Sequence, residues 1–124
     1  MSIREWPEVD YDTLTTEATV WPATHGSDTN NHTWIGDCRT LTVAVENDGA
    51  NAITASKVQV SYQQDSPDEW YDLSSGDLNA AAGASAVKVL TEDILGVARW
   101  ARIKLTSAVG CDAKVNVTGE RRNA

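Results

Sequence analysis

The sequence predicts an all-β chain, an antiparallel β-sandwich of about seven short strands preceded by an extended N-terminal arm. Three observations carry this expectation. Several runs alternate apolar and polar side chains at a period of two, as strands buried on one face do. Clusters of Gly, Asn, Asp, Ser and Pro separate those runs at short intervals. Residues 1–37 follow a different rule: their periodicity is poor, yet they hold Trp6, Trp21 and Trp34 together with both histidines.

The chain divides accordingly into an arm and polar loop at 1–37, a sandwich domain at 38–120 and a short tail at 121–124. Within the first segment only Glu17–Trp21 has the look of a strand, and Ala23–His32 is a polar loop by composition. Arms that carry large aromatics usually grip a neighbour. Trp6, Trp21 and Trp34 are therefore candidate partner contacts.

The organising stretch is Thr40–Tyr62, which reads as a hairpin. Leu41, Val43 and Val45 point inward, Glu46–Asn51 turns, and Val58, Val60 and Tyr62 point inward again. The apolar phase slips between Ile53 and Val58, which predicts a bulge or kink near Ser56. Such a hairpin needs a second apolar layer. Ala86–Leu90, Ala101–Leu105 and Ala113–Val117 supply it, with Val87, Val89, Ile103, Leu105, Val115 and Val117 inward.

The links are turns. Ser66-Pro67-Asp68-Glu69 leads into a short aromatic strand at Trp70–Leu73, and the alanine-rich Leu78–Ser85 is a loop or one helical turn. Thr91–Gly96 resembles a capped helical turn crossing between sheets. The strand within Val97–Ser107 turns Trp100, Arg102, Lys104 and Thr106 outward, a mixed row suited to solvent or a partner, so Trp100 joins the candidate contacts. A turn at Gly110 precedes the last strand, which Gly119 is expected to end.

Composition narrows the function. The formal net charge of −8 argues against a nucleic-acid or anionic-membrane surface, because phosphates call for a basic patch. The first residues lack a hydrophobic segment, so no signal peptide is expected and a cytosol-like compartment is. In an immunoglobulin-like sandwich Cys38 and Cys111 fall at opposite poles, roughly 17–20 Å apart, whereas a disulfide needs Cα atoms within about 7 Å. Both are expected to be free thiols.

The chemistry-bearing residues form no catalytic constellation, and the chain is expected not to be an enzyme. His25, Asp28 and His32, with Asp37 and Cys38 nearby, match no zinc spacing. Asp65–Glu69 and Glu46–Asp48 are oxygen-rich but lack a calcium-loop signature. No glycine-rich phosphate loop is present. Trp70 and Tyr71 are adjacent on a strand and point to opposite faces, so they make no flat platform for a sugar and one of them is expected in the core. No cofactor or metal is expected.

The order Leu41-Thr-Val-Ala-Val-Glu-Asn-Asp-Gly-Ala-Asn-Ala52, Lys57-Val-Gln-Val-Ser61, Ser66-Pro-Asp-Glu-Trp-Tyr-Asp-Leu73 and Ala98-Arg-Trp-Ala-Arg-Ile-Lys-Leu105 resembles small immunoglobulin-like structural proteins of tailed bacteriophages, including capsid decoration (cement) proteins. The resemblance covers residues 41–105 and transfers no residue-level binding motif. It implies a non-catalytic virion component, assembled in the host cytoplasm, that binds the major capsid protein or another virion protein. It also implies a homo-oligomer, with a trimer favoured, and an arm that grips the shell. The alternatives are a neck, tail or baseplate component, or a carbohydrate-binding or adhesion sandwich.

Overall fold

A computed structural model describes residues 2–14, 17–22, 32–49, 51–80, 86–94, 98–107 and 111–122. Among these residues ten strands form two antiparallel sheets. In chain order they are β1 (Ile3–Glu5), β2 (Val9–Leu14), β3 (Glu17–Trp21), β4 (Thr33–Trp34), β5 (Cys38–Asn47), β6 (Ala55–Ser61), β7 (Tyr71–Ser75), β8 (Ala86–Asp93), β9 (Trp100–Thr106) and β10 (Cys111–Arg121). The first sheet runs β1-β10-β5-β8, and β2 continues along the edge of β10 that β1 begins. The second runs β3-β9-β6-β7, and β4 continues the β3 edge of β9.

The all-β sandwich is as expected, but its strand order is not that of an immunoglobulin domain. With β1–β2 and β3–β4 each counted as one interrupted strand, the segments run 1-8-3-6 in one sheet and 2-7-4-5 in the other. That is the jelly-roll order. An immunoglobulin sandwich would instead join its first, second, fifth and fourth strands in one sheet.

The expected hairpin at 40–62 is the main casualty. β5 pairs with β10 and β8, whereas β6 pairs with β9 and β7 in the opposite sheet. The turn-forming cluster between them bridges the two layers. Buried Asn47 clamps it, accepting from the Gly49 N–H (2.9 Å) and donating to the Asn51 carbonyl (2.8 Å). Ile53 then packs inward before β6 begins, and β6 keeps an unbroken register with β9 from Ala55 to Ser61. The phase slip therefore belongs to the crossing, not to a bulge at Ser56; the irregularity in β6 lies between Val58 and Gln59, against β7.

Four further expectations are corrected. Val89 is 63% exposed because it stands opposite Ala44, on the outward side of β5, and Tyr62 lies exposed just past β6. The helical turn expected from Thr91 is strand as far as Asp93, still paired with β5, and the Thr42 and Thr91 hydroxyls meet at 3.0 Å. Gly119 does not end β10 but sits within it, where a Cβ would stand 2.7 Å from Cys38 Sγ and 3.3 Å from Trp6. Glycine inside a strand marks this kind of close approach. The expected turn at Gly110 and the residues Ser85, Val87 and Val97 fall where backbone or side chain is not described.

Residues 1–37 are not an arm laid over a finished domain. Their described strands form one edge of each sheet: β1 and β2 flank β10, and β3 and β4 flank β9. The register of β3 shifts between Thr19 and Trp21, and both Val20 and Trp21 are fully buried there. The core between the sheets joins Leu41, Val43 and Val45 of β5 and Val115 and Val117 of β10 to Val58, Val60, Ile103 and Leu105 opposite. Trp21 and Ile35, from the supposed arm, belong to the same core.

Cys38 is buried and free. Cys38 pairs with Arg121 at the far end of β10 from Cys111, so along that strand the two lie roughly 30 Å apart. The pole argument thus holds on backbone position, in a different topology. Burial, then the neighbouring Asp37 carboxylate, pushes the Cys38 thiol up to about 11.

Candidate functional site

The outward row of β9 leads to the site. Because β6 pairs with β9 in register, Gln59 stands beside Arg102, Lys57 beside Lys104 and Ser61 beside Trp100. β7 continues the row by placing Asp72 next to Gln59. A hydrogen-bonded chain crosses three strands here. The Arg102 Nε–H donates to Gln59 Oε1 (2.8 Å), and Gln59 Nε2 donates to Asp72 Oδ1 (2.9 Å).

Arg102 is only 8% exposed, because Trp70 covers it. Its guanidinium lies 4.1 Å from the centroid of the Trp70 ring, a contact that contributes about 2 kcal/mol when desolvated. Burial pushes the guanidinium down from the usual arginine value, and the Glu17 carboxylate acts in the opposite direction. Glu17 also pairs with Lys104 at 3.6 Å.

A loop between β6 and β7 forms the wall. Gln63 organises it: its Oε1 accepts from the backbone N–H groups of Asp68 (2.6 Å) and Glu69 (2.8 Å), and its Nε2 donates to Asp68 Oδ1 (2.6 Å). Ser66 at the tip adopts a positive φ of 46°. Trp100 Nε1 donates to the Gln63 carbonyl (3.1 Å), tying β9 to this wall. His32 stands edge-on to Trp100 at 5.1 Å and tilted to Trp70 at 6.0 Å. Together His32, Ser66, Pro67, Asp68, Trp70, Arg102 and Lys104 line an open cleft of about 620 Å³.

The four tryptophans expected as partner contacts have separate fates. Trp21 is fully buried and cannot meet a partner. Trp6 is half-buried, edge-on to Trp21 at 5.3 Å, with the Arg4 guanidinium over its ring at 4.5 Å. Trp34 is 45% exposed. Trp100 stands beside the cleft through His32. Neither Trp70 nor Tyr71 is core: Trp70 is half-buried on Arg102, and Tyr71 is exposed against Tyr62 at 5.6 Å.

Of the ligand-capable set near 25–38, His25 and Asp28 lie outside the described residues. Asp37 pairs instead with Arg4 (2.9 Å) and Arg121 (3.6 Å). Burial raises its carboxyl, but the hydrogen bond and charge of Arg4 outweigh this and hold it below the ordinary value. Among the described residues no three His, Cys, Asp or Glu side chains gather to hold a metal ion. In the acidic turns, Asp48 pairs with Lys114 (3.2 Å) and Asp68 is bound by Gln63.

No family model and no curated protein matches the chain. Solved structures do. The SPBc2 prophage-derived protein YomS is similar over 96% of both chains, with a TM-score of 0.53 and 12% identity. The K2 cleaved adhesin domain of Lys-gingipain matches 93% of this chain and 89% of its own, with a TM-score of 0.55 and 6% identity. A chain of the cowpea mosaic virus top component, naturally occurring empty particles, matches 100% of this chain and 92% of its own, with a TM-score of 0.52 and 13% identity. At such identities the likeness establishes a shared sandwich fold.

Proposed function

We propose that this chain is a non-catalytic structural protein of a bacteriophage virion, working at the capsid surface as a decoration protein. The observation that carries the reading is its fold: a single jelly roll matched almost end to end by a prophage-derived protein and a virus-particle chain. This is an argument from shared architecture. Two local features favour a binding role over catalysis. His32 is packed against two aromatic rings, and the Cys38 thiol is buried and pushed up to about 11, far from a thiolate nucleophile.

In this reading the partner is the major capsid protein, the assembly is a homo-oligomer with a trimer favoured, and the setting is a virion assembled in the host cytoplasm. Neither nucleic acid nor a membrane is engaged. Trp34 is the contact to test, since it keeps 45% of its surface exposed. The experiment is co-sedimentation of the full chain with shells assembled from the major capsid protein of the phage that carries it. The wild type should pellet with the shells, and Trp34→Ala should weaken this about tenfold or more while leaving the melting temperature unchanged. A wild-type chain that stays in the supernatant with those shells would sink the decoration role. Pelleting with purified necks, tails or baseplates would favour the runner-up.

A further inference from the structure

The cleft between the loop at 63–70 and the outward face of β9 is unused by the capsid reading. Its lining has a mixed character. Trp70 and Pro67 present apolar surface, Lys104 presents donors, and Asp68 presents acceptors, while Arg102 lies beneath Trp70. Its volume of about 620 Å³ is ordinary for a small-molecule site.

The mixture selects a ligand class. A wholly apolar ligand would strip water from the Lys104 ammonium and the Asp68 carboxylate while adding no hydrogen bond beyond their contacts with Glu17 and Gln63, which is costly. A strongly anionic ligand would meet Asp68 in the lining and Glu17 beside Lys104. A neutral pyranose matches both needs. Its C–H face packs on an aromatic ring, and its hydroxyls donate to a carboxylate while accepting from an ammonium group.

The cleft is also built in advance of any ligand. Gln63 fixes Asp68 through its side chain and its backbone N–H, and the Arg102–Gln59–Asp72 chain fixes the guanidinium beneath Trp70. Sites held this way bind without the cost of ordering their own side chains. We infer that this cleft is a binding site for a neutral saccharide, with Trp70 as the stacking surface and Asp68 and Lys104 as hydroxyl partners. The inference stands apart from the capsid reading, since a virion protein with or without a shell contact can carry it.

The test is titration of the full chain with a panel of neutral mono- and oligosaccharides, followed by tryptophan fluorescence and ligand-observed NMR. At least one neutral sugar should give a saturable response at millimolar concentration. Asp68→Asn and Lys104→Met should each weaken it about tenfold, and Trp70→Ala should abolish it. Because Trp70→Ala uncovers Arg102 and can loosen the sheet, the two polar variants, checked by thermal melting, carry the decision. The idea is overturned if no neutral sugar binds. It is equally overturned if only acidic sugars bind, or if binding survives unchanged in both polar variants.

Discussion

Gly119 shows how much one absent methyl group can decide. A Cβ there would lie 2.7 Å from Cys38 Sγ and 3.3 Å from both the Thr40 carbonyl oxygen and the Trp6 ring. The sulfur is fully buried and has little room to withdraw. Gly119→Ala should therefore lower stability by about 1–3 kcal/mol, the usual cost of overpacking. In the same background Cys38→Ala removes the nearest atom and should recover part of the loss. Urea denaturation of the two single variants and the double variant gives the coupling directly. If Gly119→Ala unfolds at the wild-type midpoint, this contact is looser than described.

The first four strands matter as edges rather than as an appendage. β1 and β2 complete one side of β10, and β3 and β4 complete one side of β9, so both sheets lose an outer strand if they are removed. Trp21 and Ile35 would go with them, opening the core. A chain lacking residues 1–37 should show no cooperative thermal transition by circular dichroism. The milder Trp21→Ala should fold but lose about 3–5 kcal/mol. A truncated chain that melts cooperatively near the wild-type temperature would return these residues to the status of an arm.

The molecule as a whole is governed by pairings between distant parts of the sequence. β10 closes on β1, β2 and β5, and β8 returns to β5; of the strand pairs, β6 with β7 alone joins neighbours along the described chain. Loop closure must precede most of these contacts, so refolding should be slow, in milliseconds to seconds. Stopped-flow tryptophan fluorescence after denaturant dilution measures this, and microsecond refolding would contradict the topology. The same long-range closure makes the cleft, which takes His32 from one end of the chain, Trp70 from the middle and Arg102 from near the other end.

Alternation along single strands was readable without coordinates, because a side chain's face in a strand follows from its parity alone. Leu41, Val43, Val45, Ile103, Leu105, Val115 and Val117 are buried as their spacing requires, and β3 spans Glu17–Trp21 as read. The outward row Trp100, Arg102, Lys104 was legible in the same way, and it is the half of the cleft that one strand contributes. Partnership between strands was not legible. Asn47-Asp48-Gly49 at the end of β5 is as good a bridge between layers as a hairpin turn, and parity does not say which strand lies alongside. Whether Trp21 meets a neighbour or a core, and whether Trp70 meets solvent or Arg102, depends on that choice of neighbour, which only the closed pair of sheets makes.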